Sequence, residues 1–448
     1  MSKTRRVAVI GGGMSGCAAA RELIMAGRDV TVFEAGDGLG GRARSWHRPE
    51  IEPDTGINLW FTSFYDVLFE RIREYGLEHD MVEMRNSMVI VANGKPVNLA
   101  ADSMADLLSY SHCGMRDKLR FLATSARMTA RRRRLDLFEP EQLAAFDDGV
   151  SAADWSRAVM SENAYQYLIR PMIESFWLWR CEEISKVHVM AMLANVAGSK
   201  FYVFGRGMET VAQRMANGAT VRLSTSVSEI TVDSSRQVRI SAVDANGETS
   251  SEAFDEVVIA TPAPTAAKLA ASLPGDIAPA DMLRFAETQR YEPALSVSFL
   301  IDRGRMPSGE HIVPAGPGIR SVRSIITVPK TLITADGRYR EKELTFVYLG
   351  RQATSELIGA PADRQYERAL ELAPQLWPEF PRDAEPFHIV ERPVGLAWPE
   401  PGRFRRAAQL AREQRGPVVF AGDYLGCPTA EASMRTGIRA ANSLLATV

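Results

Sequence analysis

The sequence predicts an α/β fold in which one parallel-sheet domain is assembled from separated segments of the chain. The chain opens with an apolar strand, a glycine-rich turn, a helix and a second strand, all between Val7 and Glu34. It closes with another strand, turn and helix between Val418 and Leu445. Because 448 residues are many for a single core, we expect two or three lobes in all.

Three glycines separate the first predicted strand, residues 7–10, from a helix predicted at residues 17–26. Gly11, Gly13 and Gly16 stand in G-x-G-x-x-G spacing. In this arrangement Gly11 permits a tight turn, Gly13 lets the backbone approach a pyrophosphate, and Gly16 lets the helix pack against the strand. The N-terminus of the helix then faces the anion.

An acidic residue completes this unit, because Glu34 ends the next predicted strand at residues 30–33. A carboxylate at that place accepts hydrogen bonds from ribose hydroxyls and repels a ribose phosphate. The glycine spacing alone is weak evidence, but its position between strand and helix, followed by the acid, predicts a dinucleotide site for FAD or NAD, not NADP. The sequence has no second unit of strand, G-x-G-x-x-G turn and helix that could hold a nicotinamide.

The composition argues against several classes of function. The net charge of −2 gives no general attraction to nucleic acid. The four cysteines are widely scattered without metal-ligand spacing, so we expect no metal site. The sequence has neither a signal peptide nor an apolar run of about 18 residues, so we expect a cytoplasmic protein.

The middle of the chain reads as two further regions. Residues 64–195 are predicted to be mainly helical, and residues 263–390 mix strands with helices. The basic run at residues 131–134 is typical of a solvated helix face, with contact to an anionic membrane or a partner as the alternative. The aromatic group Phe176, Trp177 and Trp179 favours a core or an interdomain seam over a ligand cage.

Three sequence blocks resemble the flavin-containing amine oxidase superfamily. They are GGGMSG…FEAGDGLGGRARS at the start, TSVSEITVD…FDEVVIATP in the middle, and VVFAGDYLGCPTAEASMRTGIRAANSLL at the end. The superfamily includes monoamine and polyamine oxidases, protoporphyrinogen oxidases, and phytoene- or squalene-type desaturases. The blocks cover roughly a third of the chain, in the family's order.

The resemblance implies a Rossmann-like FAD-binding domain of the GR2 type, an interleaved α+β substrate domain and a helical subdomain. The FAD-binding domain would comprise residues 1–75, 196–262 and 391–448. Residues 76–195 would form a mostly helical substrate or lid region, and residues 263–390 the mixed α+β substrate-binding domain. The oligomeric state stays open.

The resemblance also implies an extended, non-covalent FAD. Glu34 would hold the adenosine ribose, the backbone of Val227 would bracket the adenine, and Asp423 would bond the ribityl chain or a phosphate. The helix start near Thr429 would direct N–H groups at the flavin, where reduced flavin carries negative charge. The residues placed beside FAD are Gly11, Gly13, Met14, Ser15, Gly16, Glu34, Ala35, Gly40, Gly41, Arg42, Val227, Gly422, Asp423, Thr429 and Ala430.

Five residues are candidates for the substrate side of the flavin, each with simple packing as the alternative. They are Trp398, Asn58, Trp60, Tyr202 and Tyr348. Many amine oxidases carry a lysine that holds a water at flavin N5, and the matching stretch here, residues 290–299, contains none. The segment ERPVGLAWPEPGRF is more similar to protoporphyrinogen oxidases and desaturases than to monoamine oxidases.

These departures favour an FAD-dependent enzyme that desaturates a small organic molecule by hydride transfer to flavin N5. Its expected role is bacterial biosynthesis of a specialised metabolite, pigment or tetrapyrrole, with O2 or another compound as electron acceptor. Three alternatives remain: an amine or amino-acid oxidase that makes an imine and H2O2, a flavin-containing isomerase, and a non-catalytic binding subunit stabilised by FAD.

Overall fold

The computed structural model describes residues 4–45, 61–84, 87–100, 103–205, 207–307, 311–328 and 341–446. The described strands, in chain order, are β1 (Arg6–Ile10), β2 (Asp29–Phe33), β3 (Phe61–Thr62), β4 (Met81–Met84), β5 (Ser87–Ala92), β6 (Lys95–Ala100), β7 (Phe201–Phe204), β8 (Thr220–Arg222), β9 (Ser226–Val232), β10 (Val238–Val243), β11 (Thr249–Phe254), β12 (Glu256–Ile259), β13 (Tyr291–Asp302), β14 (His311–Pro314), β15 (Val322–Val328), β16 (Lys342–Leu349), β17 (Glu385–Ala397) and β18 (Val418–Phe420).

The described α-helices, in chain order, are α1 (Met14–Met25), α2 (Asp66–Glu74), α3 (Met104–Ser109), α4 (Met115–Thr129), α5 (Pro140–Leu143), α6 (Ala152–Val159), α7 (Glu162–Ala164), α8 (Arg170–Phe176), α9 (Lys186–Asn195), α10 (Glu209–Met215), α11 (Ala263–Ala270), α12 (Ala280–Glu287), α13 (Arg351–Leu357), α14 (Ala362–Leu376), α15 (Arg403–Glu413) and α16 (Ala430–Leu445). A π-helical turn, Tyr165–Ile169, joins α7 to α8.

A five-stranded parallel sheet combines the two ends of the chain with its middle. Its strand order is β18-β12-β1-β2-β8, and its four pairings are all parallel. Four residues of β1 and four of β2 are buried, as expected for strands covered on both faces. The five strands come from the three segments that the sequence assigns to the FAD-binding domain.

Helices α1 and α16 pack over this sheet through two close backbone contacts. A Cβ on Gly16 would lie 1.9 Å from the carbonyl oxygen of Gly11, and one on Gly437 would lie 2.0 Å from the carbonyl oxygen of Ser15. Glycine at these positions therefore lets α1 approach the first turn and lets α16 cross α1 backbone to backbone. This crossing brings the N-termini of the first and last helices to the same side of the sheet.

A seven-stranded mixed sheet forms the second layer system, in the order β17-β13-β16-β15-β14-β5-β6. Within it, only β14 and β5 pair in parallel. Strands β4, β5 and β6 interrupt the region predicted to be mainly helical, whose other described elements are helices. The apolar, β-branched run of β5 is typical of a strand and overrides the helical character of its surroundings.

Two small antiparallel sheets complete the strand pairing. Strands β9, β10 and β11 form one, with a turn at Gly247 that adopts a positive φ of 82°. Strands β3, β7 and β4 form the other. In the described part of the chain, no helix combines the length and apolar character needed to cross a membrane.

Candidate FAD and substrate cavity

One cavity of about 530 Å³ lies at the carboxyl ends of the parallel strands and extends to the seven-stranded sheet. Ile10 and Phe33, at the ends of β1 and β2, line it together with Ala260 after β12 and Gly422 after β18. Ligands of open parallel sheets bind at this edge, and the volume falls within the range of about 300–1,000 Å³ typical of small-molecule sites.

The two glycine-rich turns, both predicted to lie beside the same ligand, contact each other at the cavity wall. The Gly40 N–H donates to the Gly12 carbonyl at 2.8 Å, and Gly13 bridges to Gly40. A Cβ on Gly41 would lie 3.0 Å from the Gly13 Cα. The cradle at this point is therefore backbone on both sides, and side chains there would fill it.

The N-terminus of α1 has no side-chain partner of its own. Gly13 is its N-cap and provides no capping hydrogen bond, and its first turn contains no acidic residue. Since the first N–H groups of a helix have no intrahelical acceptor, this end suits an anion such as a pyrophosphate.

Glu34 lines the cavity at the end of β2 with both carboxylate oxygens held by backbone. Oε2 accepts from the Gly12 N–H and Oε1 from the Gly36 N–H, each at 2.7 Å. Each oxygen keeps a second lone pair, so the carboxylate is fixed in place and can still accept a hydroxyl.

Arg42 and Asp423 form a two-pronged ion pair across the middle of the cavity. Arg42 Nη2 donates to Asp423 Oδ1 at 2.6 Å, and Nη1 donates to Oδ2 at 2.9 Å. Arg42 Nη1 also donates to the Gly395 carbonyl at 2.6 Å. The sequence predicts both residues beside the ligand but contains no sign that they bind each other.

The N-terminus of α16 opens on the same cavity. Thr429 is its N-cap and accepts from the Ala432 N–H at 3.0 Å, and both Thr429 and Ala430 line the cavity. Glu431 turns away and accepts from the N–H groups of Val67 and Leu68, which caps α2 from outside. Burial raises the pKa of Glu431, and neighbouring Arg435 acts in the opposite direction.

The structure brings nearly all residues predicted beside FAD to this cavity. Gly16 is the exception, because it packs against Gly11 instead. The others line the cavity: Gly11, Gly13, Met14, Ser15, Glu34, Ala35, Gly40, Gly41, Arg42, Val227, Gly422, Asp423, Thr429 and Ala430.

Of the substrate-side candidates in the described residues, only Tyr348 reaches the cavity. Tyr202 lies on β7, where its ring meets Phe69 edge-on at 5.6 Å, and it is not among the lining residues. Asn58 and Trp60 lie outside the described residues.

Trp398 is buried beside the cavity without lining it. The guanidinium carbons of Arg290 and Arg351 lie 3.7 and 4.8 Å from its ring centroid. It borders a separate small hollow together with Asp423 and Tyr424. Two cation–π contacts therefore hold the ring in a packing position, which the sequence could not distinguish from the flavin face.

The far end of the cavity is lined mainly by apolar and aromatic side chains that the sequence did not single out. These include Phe64, Tyr65, Met88, Leu137, Met172, Met192, Phe201, Ala294 and Leu396. Phe176 and Trp177 also line it, whereas Trp179 is buried behind Trp177 and stacks on it at 5.2 Å. Between the two tryptophans, Leu178 has a positive φ of 59°, a conformation that non-glycine residues rarely adopt.

His188 packs edge-on against both tryptophans, with ring centroids 4.8 and 5.0 Å apart. It is fully buried, and burial lowers its pKa to about 3. His188 is therefore neutral at ordinary pH. No group of three or more metal-binding side chains occurs among the described residues.

The sequence matches the family model described as flavin containing amine oxidoreductase over residues 14–445. The chain belongs to this family. The family contains flavin, and the cavity at the carboxyl ends of the parallel strands is where such a cofactor would bind. This protein is therefore a flavin-dependent oxidoreductase, and its cofactor is FAD.

Curated relatives match shorter segments of the chain. Mitochondrial protoporphyrinogen oxidase of Nicotiana tabacum is 38% identical over 27% of this chain and 24% of its own length. L-amino-acid oxidase of Sistrurus catenatus edwardsii is 36% identical over 17% of this chain and 15% of its own. A probable zeta-carotene desaturase of Synechococcus elongatus is 23% identical over 50% and 51%. The matches thus span at most about half of these relatives.

Solved structures are similar to nearly the whole chain. A putrescine oxidase variant superposes with a TM-score of 0.72 at 18% identity, and 99% of each chain is covered. A putative protoporphyrinogen oxidase from Exiguobacterium sp. 255-15 gives a TM-score of 0.71 at 17% identity, covering 97% of this chain and 98% of the other. These likenesses confirm the predicted fold class.

Proposed function

We propose that this flavoenzyme desaturates an apolar small molecule in the biosynthesis of a specialised metabolite, pigment or tetrapyrrole. The observation that carries the proposal is the lining of the far end of the cavity. Among the described residues there, no aspartate, glutamate, lysine or histidine is present, and methionine, leucine and aromatic side chains predominate. An apolar substrate gains free energy from such a surface in proportion to the area it buries.

The same lining disfavours a cationic amine. An ammonium group taken out of water needs a carboxylate or several acceptors, and the described residues at this end offer no carboxylate. The guanidinium of Arg392 lines the cavity and would repel it. The amine or amino-acid oxidase, suggested by the L-amino-acid oxidase relative, is therefore the second candidate.

The chain's own residues bind and orient FAD. Glu34 would hold the adenosine ribose next to Val227, the glycine turns and the α1 N-terminus would hold the pyrophosphate, and Arg42 is kept in position by Asp423. The α16 N-terminus would stabilise negative charge on the reduced ring. Bound FAD would supply a hydride acceptor at N5 and a route for the electrons to O2 or another acceptor.

FAD would be bound without a covalent link. All four cysteines lie in described parts of the chain, all are buried, and none lines the cavity. We assign residues 1–75, 196–262 and 391–448 to the FAD-binding domain. The described part of residues 76–195 and 263–390 supplies most of the apolar end of the cavity.

An anaerobic titration of the purified flavoprotein tests this function. The panel contains cyclic and partly unsaturated hydrocarbons, amines matched to them in size, and amino acids. We expect the oxidised-flavin absorbance to be lost with one group of hydrocarbons and not with their amines. Dithionite reduction in the same sample shows that the bound flavin can be reduced. Bleaching by amines or amino acids alone would overturn desaturation, and product formed without net reduction would indicate an isomerase.

Helices α3 and α4 carry an exposed apolar patch, and we propose that this patch contacts a membrane. Met104 and Leu108 on α3 are 54% and 46% exposed, and Met115 and Leu119 on α4 are 53% and 58% exposed. Arg116, Arg120 and residues 131–134 are exposed in the same region of the chain. Apolar side chains beside cations suit the surface of an anionic membrane, so we assign this patch to peripheral membrane contact.

Sedimentation with lipid vesicles tests the membrane contact. Wild type should sediment with vesicles that contain phosphatidylserine and not with pure phosphatidylcholine. Replacing Met115 and Leu119 by serine, or residues 131–134 by glutamine, should reduce this binding. Met25→Ser is the matched control, because Met25 is 72% exposed elsewhere on the surface. Equal sedimentation of all variants would overturn the assignment.

A further inference from the structure

Among the described residues that line the cavity, four carry a formal charge: Glu34, Arg42, Arg392 and Asp423. Arg42 and Asp423 neutralise each other, and Glu34 is held by backbone N–H groups. Arg392 differs from all three. Its Nη1 donates to the carbonyl of neighbouring Glu391 at 3.1 Å, its Nε is buried without an acceptor, and no described carboxylate pairs with it.

The position of Arg392 in the sheet places it on the substrate side of the cavity. On β17 it pairs with Ala294 of β13, and two residues further along β13, Ser296 pairs with Tyr348 of β16. Because alternate residues of a strand face the same side, Ala294, Tyr348 and Arg392 share the sheet face that lines the cavity. Leu178 packs on this same face.

An unpaired guanidinium on an apolar wall is costly unless a ligand supplies an anion. Burial is the first cause that lowers the pKa of Arg392, and the like charges of Arg42 and Arg44 act in the same direction. Guanidinium groups bind carboxylates and phosphates through two parallel hydrogen bonds. The ligand anion that would meet Arg392 is therefore either an acid group of the substrate or a phosphate of FAD.

We propose that Arg392 binds a carboxylate of the substrate, so that the enzyme acts on an apolar molecule bearing at least one acid group. The pyrophosphate already has the glycine turns, the α1 N-terminus and Arg42. Among the described residues of the seven-stranded sheet that line the cavity, Arg392 alone is charged. This inference rests on the proposed function, because it names the substrate class for the same cavity.

Ligand binding to the FAD-loaded protein tests the proposal without requiring turnover. The probes are benzoate and 2-naphthoate, each compared with its uncharged amide, and binding is read from the shift of the flavin absorbance. Wild type should bind each acid about tenfold to a hundredfold more tightly than the amide, as expected for a charge-assisted hydrogen bond. Arg392→Gln should remove this preference, and Arg392→Lys should restore part of it.

Two controls separate the sources of the anion. Arg305→Gln removes an exposed arginine that is paired with Asp383, and it should leave the preference for the acids unchanged. The dissociation constant of FAD, measured with apoprotein of wild type and Arg392→Gln, should differ by less than about threefold, since removing a phosphate contact changes affinity more than this.

A large loss of FAD affinity in Arg392→Gln, with the preference for acids unchanged, would assign Arg392 to a phosphate and overturn the proposal. Equal binding of acids and amides by wild type would also overturn it. Failure of the proposed function appears elsewhere, as a flavin that neither the hydrocarbons nor their carboxylic acids reduce. The binding preference is measured independently of that result.

Discussion

Arg42 and Asp423 are 381 residues apart in the sequence and meet in a two-pronged ion pair with donor–acceptor distances of 2.6 and 2.9 Å. Arg42 follows the first βαβ unit, and Asp423 follows the last strand of the same parallel sheet. The pair joins the two ends of the chain at the cavity, and Arg42 also binds the Gly395 carbonyl of β17. This contact therefore helps to close the fold, and under the proposed function it also positions Arg42 for FAD.

Asp423→Asn should lower both stability and FAD retention. Asp423 is buried, and its loss of charge leaves Arg42 without a carboxylate. We expect a loss of about 3 kcal/mol, the low end for a broken buried pair, because the Arg42 side chain is one-third exposed. Urea unfolding and the flavin-to-protein ratio measure the two effects. Arg42→Met in the same background should cost less than it does in wild type, and additive effects would contradict a direct pair.

Glu34→Ala should weaken FAD binding by about tenfold or more, since it removes the ribose acceptor and leaves the Gly12 and Gly36 N–H groups without their partner. Glu34→Gln keeps one acceptor oxygen and should lose less affinity. Fluorescence titration of the apoprotein with FAD measures both constants. A Glu34→Ala protein that purifies fully flavinated would remove Glu34 from the binding site.

Gly437→Ala should destabilise the fold although alanine favours helices. Its Cβ would lie 2.0 Å from the Ser15 carbonyl oxygen, so α16 and α1 must separate. The net loss should be about 1–3 kcal/mol after the gain in helix propensity. Asn442→Ala, at an exposed position of the same helix, is the control and should leave stability within about 0.5 kcal/mol. Equal melting temperatures for Gly437→Ala and Asn442→Ala would refute the close crossing of α16 and α1.

His188 should make the fold sensitive to acid. Burial lowers its pKa from 6.5 to about 3. Between these pH values, His188 is therefore protonated in the unfolded chain and neutral in the folded chain. The unfolding free energy does not depend on this titration above pH 6.5, and it decreases as the pH falls from 6.5 towards 3. Relative to His188→Phe, wild type should lose about 1.4 kcal/mol of unfolding free energy per pH unit in this window.

The control for this pH dependence is Trp179→Phe, which alters the ring packing against His188 without removing a titratable group. Its unfolding free energy should fall with pH in parallel with that of wild type. His311 is present in all three proteins, so its own titration cancels in the comparison. Parallel curves for wild type and His188→Phe would show that His188 does not titrate in this range.

The sequence predicted the parts of the site that depend on local spacing. The glycine turns and Glu34 are recognisable because strand, turn and helix follow one another within the first βαβ unit. The pairing of Arg42 with Asp423 was not predictable, since only the sheet order brings them together. Trp398 and Tyr348 both looked like cavity residues, and the cation–π contacts of Trp398 with two arginines decide between them.

Arg392 illustrates the same limit. It stands between Glu391 and Pro393 with no motif around it, and its significance lies in what is missing near its side chain. Likewise, β5 and β6 join the substrate sheet through the parallel pairing of β14 with β5, a contact between residues more than 200 positions apart that no local pattern records.

A crystal structure of the FAD-loaded protein would show where the cofactor binds. We predict FAD in the cavity, with the adenosine between Glu34 and Val227, the pyrophosphate at the α1 N-terminus, and the isoalloxazine at the N-terminus of α16 facing the apolar end. Isoalloxazine density at the Glu34 end, or an FAD bound outside this cavity, would contradict it.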